Sequence, residues 1–208
     1  MLARIDRQAM RRHEQTFADV WAKKFFAVED FAPRAAEKAL ELHLDDPGKR
    51  KRILDVGCGF GYLVLACDCL GHDAVGLDIP HDCTAAVAVA VGFKLVSHKI
   101  HRFELLPDQL QGFDLITMTG VNLFERLNGT QQPLDNLTIN ADQSLPPAGW
   151  WREPEYRFLI RDLYERLRPG GEIFIEFNHG PENDWLINVR WDHPHSASNH
   201  NRIQIFRE

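Results

Sequence analysis

Between Ile53 and Gly61 the chain reads Ile-Leu-Asp-Val-Gly-Cys-Gly-Phe-Gly, an apolar run that breaks into three glycines one residue apart and is followed by a second apolar stretch, Tyr62 to Leu70. Glycine reaches left-handed backbone conformations without steric cost and lets the main chain approach a ligand closely. A helix that starts just after such a turn adds unsatisfied amide donors. The run therefore predicts a buried strand over residues 52–56, a ligand-facing turn, and a helix over 62–70 stopped by Gly71. A nucleotide-like cofactor suits that geometry. The spacing is G-x-G-x-G, whereas the dinucleotide pattern G-x-G-x-x-G requires a small residue where this chain has Tyr62, which disfavours a pyrophosphate turn.

Downstream, strand and helix signals alternate: a strand over 74–79, a helix over 84–91 ended by Gly92, and strands over 94–100, 113–119 and 171–177, with a helix over 153–167 before the last. The stretch after Thr84 is apolar and rich in valine, but a strand there would lack the crossover a parallel neighbour needs, so it reads as a helix. Such alternation implies an α/β fold, a doubly wound and mostly parallel sheet with helices on both faces, with ligands gathering at the C-terminal ends of the strands. Asp78 closes the second strand, where a carboxylate accepts hydrogen bonds from both hydroxyls of a ribose.

Two helices are expected ahead of the sheet. One runs from Asp6 to Phe26 with Phe17, Val20, Trp21 and Phe25 on its apolar stripe; the other runs from Pro33, in its first turn, to Leu44. Their aromatic residues read as core packing, with a substrate lid as the competing role. After Phe177 too few residues separate the fifth strand from the next candidate for a parallel crossover, so 202–206, with Ile203 and Ile205 alternating against polar neighbours, is expected to pair antiparallel. The connection from Gly120 to Trp151, rich in Asn, Pro and Gly, is longer than ordinary connections and hangs off the C-terminal end of the fourth strand, the place for a lid or specificity element.

Length and charge narrow the classes. A chain of 208 residues fits one domain, taken as 1–208, with N-terminal helices in 1–48, a cofactor-binding core in 52–178, the lid-like insertion 120–151 and a C-terminal extension 179–208. No apolar run approaches bilayer length and no signal segment is visible, which predicts a cytoplasmic protein without membrane contact. Residues 1–52 hold 12 Lys or Arg against 9 Asp or Glu, and the remainder 12 against 21, so the excess of acid argues against nucleic acid as partner. The run Lys49-Arg-Lys-Arg52 reads as a solvated loop. Cys58, Cys67, Cys69 and Cys83 read as free thiols, because the Cys67 to Cys69 spacing is too short for a usual metal pair. His193, His195 and His200 sit in a polar loop context, and no metal is assigned to them.

With these motifs in order, Leu54-Asp-Val-Gly-Cys-Gly-Phe-Gly61, Gly76-Leu-Asp78, Leu106-Pro107, Phe113-Asp-Leu-Ile116 and Leu167-Arg-Pro-Gly-Gly171, the chain resembles the class I S-adenosylmethionine (SAM)-dependent methyltransferase family over residues 52 to 178. The resemblance implies a Rossmann-like fold with SAM as cofactor. It also implies that Gly57, Cys58, Gly59, Phe60 and Gly61 meet the amino-acid moiety, that Asp55 helps hold the ammonium group through the loop, and that Asp78 binds the ribose. Where the family often places an acidic residue against adenine this chain has Arg102, followed by Phe103; Ile79 and Phe103 offer flat apolar walls for a purine, and Thr119 ends the fourth strand beside them in the motif order. The family's usual helix and two-strand hairpin after the fifth strand look shortened, so the sheet is expected to lose a strand.

The nucleobase signature of a polar residue, Pro-Pro and an aromatic is replaced by Thr119-Gly-Val-Asn-Leu-Phe124. The expected activity is methyl transfer from SAM to an oxygen or nitrogen of a small-molecule substrate. His179, Glu125 and Glu176 are the candidate bases, and Asn122 is a candidate for orienting the acceptor. The alternatives are a catalytically inactive SAM-binding interaction module and, fitting only the glycine loop and Asp78, a nicotinamide oxidoreductase. Oligomeric state is open.

Overall fold

Asp6 starts the first helix, α1 (Arg7–Thr16), by accepting the backbone N–H groups of Gln8 and Ala9 at 3.0 and 2.8 Å, which satisfies donors the helix cannot. These hydrogen bonds, that from Ala9 foremost, hold the Asp6 carboxyl below its ordinary range. The computed structural model describes residues 1–17, 21–46, 48–121, 123, 151–177, 195–198 and 202–208. They divide into two compact units, Met1–Lys99 and Ile100–Glu208.

In the first unit the expected single helix from Asp6 to Phe26 is two pieces. Thr16 turns its hydroxyl back on the Arg12 carbonyl at 2.9 Å and Phe17 leaves helical geometry, after which residues Trp21–Phe26 form a 3-10 segment. The second helix, α2 (Val28–Glu41), begins a turn earlier than expected and ends earlier, with Pro33 inside it. Val28, Ala32, Ala35 and Ala39 are buried on one stripe, and packing of that stripe outweighs the interior proline.

The strands β1 (Arg52–Val56), β2 (Asp73–Asp78) and β3 (Leu95–Ser97) are parallel, in the order β3-β2-β1. Ile53 to Val56 are all buried, as a parallel strand covered on both faces requires. β3 is shorter than the expected 94–100 because only Gly76 to Asp78 of β2 pair with it. Helices α3 (Tyr62–Cys69) and α4 (Asp82–Val91) alternate with these strands. Gly71 and Gly92 follow them at φ 91° and 78°, the left-handed positions expected of helix stops. In the basic run, Lys49 pairs with Asp46 at 3.2 Å on an exposed surface, and the Lys51 N–H donates to Nδ1 of buried His72.

The second unit holds β4 (Phe113–Thr119), α5 (Glu153–Glu165), β5 (Leu167–Glu176), β6 (His195–Ser198) and β7 (Arg202–Phe206), its strands ordered β4-β5-β7-β6. β4 and β5 are parallel; β7 is antiparallel to β5, as the short connection required. The strand expected to be lost is present: β6 pairs antiparallel with β7. Its sequence, His-Ser-Ala-Ser, carries no β-branched residue and no Phe, Tyr or Trp, so backbone pairing creates a strand that residue preference does not announce. β5 begins at Leu167 rather than Gly171, because Arg207 exchanges backbone hydrogen bonds with Gly170 and Gly171 and extends the ladder across the Arg-Pro-Gly-Gly turn. The fold is α/β and Rossmann-like, with mostly parallel strands and an antiparallel C-terminal pair.

One buried ion pair organises this unit. Arg166, 2% exposed, meets Asp162 at 2.9 Å and donates to the carbonyls of Leu106, Pro107 and Leu110. Asp162 also accepts the Leu106 N–H at 2.9 Å. The Leu106-Pro107 motif is thus the part of a loop that a charged pair clamps by its backbone. Arg207 acts similarly on the end of α5, donating to the carbonyls of Tyr164, Glu165 and Leu167.

All four cysteines are free. Burial pushes the Cys67 thiol up to about 12 and the Cys83 thiol up to about 11; burial, reinforced by Asp55 and Asp78, also raises Cys58 well above the ordinary thiol range. Thiolate is the reactive form, so iodoacetamide at neutral pH is expected to modify exposed Cys69 first, read by peptide mass spectrometry. Faster labelling of Cys58 or Cys67 would contradict this placement.

Candidate functional site

In the first unit the three glycines turn the chain sharply at the C-terminal end of β1, with φ of 69° at Gly57, 54° at Gly59 and 68° at Gly61. The turn is fastened to β2: the N–H groups of Gly57 and Cys58 both donate to the Leu77 carbonyl, at 2.7 and 3.1 Å, and Gly61 N–H donates to the Cys58 carbonyl at 2.9 Å. Gly61 caps α3 without a side chain, so the first-turn amides of that helix have no side-chain partner at the cap. A side-chain carbon placed at Gly59 would meet nothing within 4 Å, which makes the crest of the loop open space.

Asp78 faces that crest. One carboxylate oxygen accepts the Gly59 N–H at 2.6 Å and the other accepts the Ile79 N–H at 2.7 Å. An ionised carboxylate has about four lone-pair sites, so two remain for ligand hydroxyls. Burial raises the Asp78 carboxyl above its ordinary range, against the opposing pull of those two N–H groups. The first unit therefore brings together Gly57, Cys58, Gly59, Gly61, Asp78 and Ile79. Asp55 lies on β1 two residues before Gly57 and is 6% exposed. Phe60 is placed differently from a ligand-facing side chain. Its ring is 3% exposed and packs edge-on against Phe26 at 4.7 Å, so what Phe60 presents to the loop is backbone.

Sequence reasoning passed over the partner of that aromatic group. Tyr62, whose bulk had served only to reject a pyrophosphate turn, donates its hydroxyl to the Phe25 carbonyl at 2.7 Å, and its ring stacks on Phe31 at 6.3 Å. Burial pushes its phenol well up. Phe25, Phe26, Phe31, Phe60 and Tyr62 thus join the N-terminal helices to the glycine loop, and Phe25, Phe26 and Phe31 pack in this cluster.

The second unit places the other candidates. Arg102 pairs with Glu155 at 3.7 Å. Phe103, at φ 58° and 54% exposed, is one of two non-glycine left-handed residues among those described, and its ring meets Phe158 edge-on at 5.8 Å. Thr119 ends β4 opposite Glu176, and its hydroxyl is buried without a hydrogen-bond partner among the described residues. Glu176 pairs with Arg202 Nε at 2.9 Å, the neighbouring cation that competed with a role as base. Asn122, Glu125 and His179 lie outside the described residues, as do His193, His200 and most of the 120–151 insertion. The ends of that insertion meet: Trp151 N–H donates to the Leu123 carbonyl at 3.0 Å, with both residues buried.

A family model described as a methyltransferase domain matches residues 28–208. The chain belongs to that family. The matched span takes in the glycine loop, Asp78 and the final antiparallel strands. No curated protein matches the chain. Among solved structures, this methyltransferase domain is similar in fold to Streptomyces venezuelae DesVI, at 15% identity and TM-score 0.50, covering 86% of this chain and 62% of that one. It is also similar to the T. thermophilus 16S rRNA N2 methyltransferase RsmC in complex with AdoMet and guanosine, at 17% identity and TM-score 0.50, covering 83% and 42%. The glycopeptide N-methyltransferase MtfA complexed with SAM matches at 14% identity and TM-score 0.45, covering 83% and 66%. The domain therefore spans between 42% and 66% of the length of these structures. Among the described residues, no helix is long and apolar enough to cross a membrane.

Proposed function

We propose that this methyltransferase domain binds SAM and transfers its methyl group to an oxygen or nitrogen of a small-molecule acceptor, releasing S-adenosylhomocysteine. The observation that carries the reading is the Gly59 to Asp78 hydrogen bond, which sets a carboxylate with two unused lone-pair sites beside the open crest of a glycine turn. Asp78 would take the ribose hydroxyls, and the uncapped first turn of α3 would take the amino-acid end. Ile79 supplies an apolar wall for the base, and Asp55 steadies the loop. Bound SAM supplies an activated methyl on a sulfonium: the acceptor forms a bond to carbon as the carbon–sulfur bond breaks, and the thioether leaves neutral. The protein's task is then alignment and exclusion of water, with a base required only for an acceptor that arrives protonated.

The 120–151 insertion, pinned at its base by Trp151 and Leu123, is assigned to acceptor selection, and Asn122, Glu125 and His179 are the residues to test for orienting or deprotonating the acceptor. The net charge of -6 supports a small molecule over nucleic acid. Calorimetric titration should give heat with SAM and S-adenosylhomocysteine and none with NAD; silence with SAM up to millimolar concentration would remove the reading. The second reading, a SAM-binding module without catalysis, draws support from Glu176, a candidate base already held by Arg202. It predicts the same SAM heat but no S-adenosylhomocysteine formed with any acceptor.

A further inference from the structure

The glycine loop rests on a side chain outside every motif that identified it. Phe93 follows Gly92, the stop of α4, and leads toward β3. A side-chain carbon at Gly61 would lie 2.3 Å from the Phe93 ring, and one at Gly76 would lie 3.2 Å from it. The first is a distance side-chain carbons do not show and the second is tighter than most; at Gly76 the Cys58 sulfur lies closer still, at 2.4 Å, so Gly61 is filled by the Phe93 ring and Gly76 by Cys58 with the ring next to it. Gly61 is the cap of α3 and Gly76 is in β2, two residues before Asp78. The ring is thus wedged between the helix that begins at the loop and the strand that ends at the carboxylate facing it. Phe93 also lines a cavity of about 350 Å³ together with Val64, Ala74 and Lys94. Truncating the ring would enlarge this cavity.

We propose that Phe93 is the positioning residue of the cofactor loop, fixing the distance between the glycine turn and Asp78 without touching the ligand. Hydrogen bonds to Leu77 and Asp78 tie the turn to β2, and the ring packed on Gly61 sets how closely the start of α3 approaches, so cutting the ring away lets that start shift. The inference rests on reading the loop as the SAM site, and its test keeps the two apart. Phe93→Ala and Phe93→Leu are compared with the parent in the full chain by hydrogen exchange at residues 57–61, by SAM titration and by melting.

Phe93→Ala is expected to raise exchange at the Gly59 amide, which Asp78 holds, while amides of β4 keep their protection, and to weaken SAM binding about tenfold. Phe93→Leu, which still fills most of the wedge, should restore most of both. A parent that exchanges as expected but never binds SAM would defeat the cofactor reading and leave the positioning role standing. Unchanged loop exchange in Phe93→Ala, or a loss spread evenly over all amides and matched by the fall in melting temperature, would overturn the positioning role. If Phe93→Ala does not fold, Phe93→Val, which also leaves the contact at Gly61 unfilled, carries the same comparison, and parent-like exchange at the Gly59 amide together with SAM affinity within about twofold of the parent in that variant would overturn the role equally.

Discussion

Replacing Arg166 with alanine is expected to lower the melting temperature by roughly 6–20 °C, the shift that about 3–5 kcal/mol produces in a chain of this size. The magnitude follows from what would be left behind. Asp162, 7% exposed, would lose its cation, and the carbonyls of buried Leu106 and Leu110 and of half-buried Pro107 would lose a common donor. Asp162→Asn also leaves a buried charge, on Arg166, but that guanidinium keeps its three carbonyl acceptors and the amide fills the space of the carboxylate, so this variant should be milder than Arg166→Ala. Combining Asp162→Asn with Arg166→Met should recover part of the loss. Thermal unfolding of the three variants checks this order. A drop below about 1 kcal/mol for Arg166→Ala would mean that the pair is solvated like an ordinary surface bridge.

Nothing in the sequence set Arg166 apart. Asp162 and Arg166 are spaced i, i+4 on a helix, and so are Glu153 and Arg157, which pair at 2.7 Å in a far more exposed setting. Spacing shows that two side chains share a face; only the path of a distant loop, brought over that face by the fold, decides whether the face meets water. The same division runs through the site. The left-handed glycines and the position of Asp78 at the end of a strand were legible because they are local requirements of a strand–turn–helix unit. Phe93 was not, since its role depends on two glycines, 32 and 17 residues earlier, converging on one ring. The hydroxyl of Tyr62 was missed for a related reason. A bulky residue after a glycine turn excludes one cofactor at the level of spacing, but its bond to the Phe25 carbonyl exists only once the N-terminal segment has folded back.

The errors at the helices and in the last hairpin also have particular causes. Pro33 looks like a helix start because proline is tolerated in a first turn, yet Val28 and Ala32 extend the buried stripe ahead of it, and tertiary burial overrides the local signal. β6 has no side-chain signature because its neighbour β7 supplies the pairing, and Ile203 and Ile205 of β7, both buried, supply the apolar face. Strands selected by a partner's backbone are the class that residue preference detects least well.

Asp78→Asn is expected to weaken SAM binding on the order of a hundredfold, because two hydroxyl hydrogen bonds to an ion become bonds to a neutral amide, and the amide cannot accept from Ile79, the ribose and Gly59 together. The pH dependence gives the sharper discrimination. Burial raises the Asp78 carboxyl in the folded protein above its unfolded value, so the folded state binds this proton more tightly. This group therefore adds stability to the free protein as pH falls through the raised value, an effect complete below the unfolded value and absent at neutral pH. Cofactor affinity must move the other way, since protonation removes the charge that holds the ribose. Calorimetry and melting across the acid range, each expressed as parent minus Asp78→Asn, should therefore give opposite slopes: SAM affinity lost and relative stability gained as pH falls. Slopes of the same sign would show that Asp78 acts on the fold alone, and a flat affinity profile would place the ribose on a group that does not titrate.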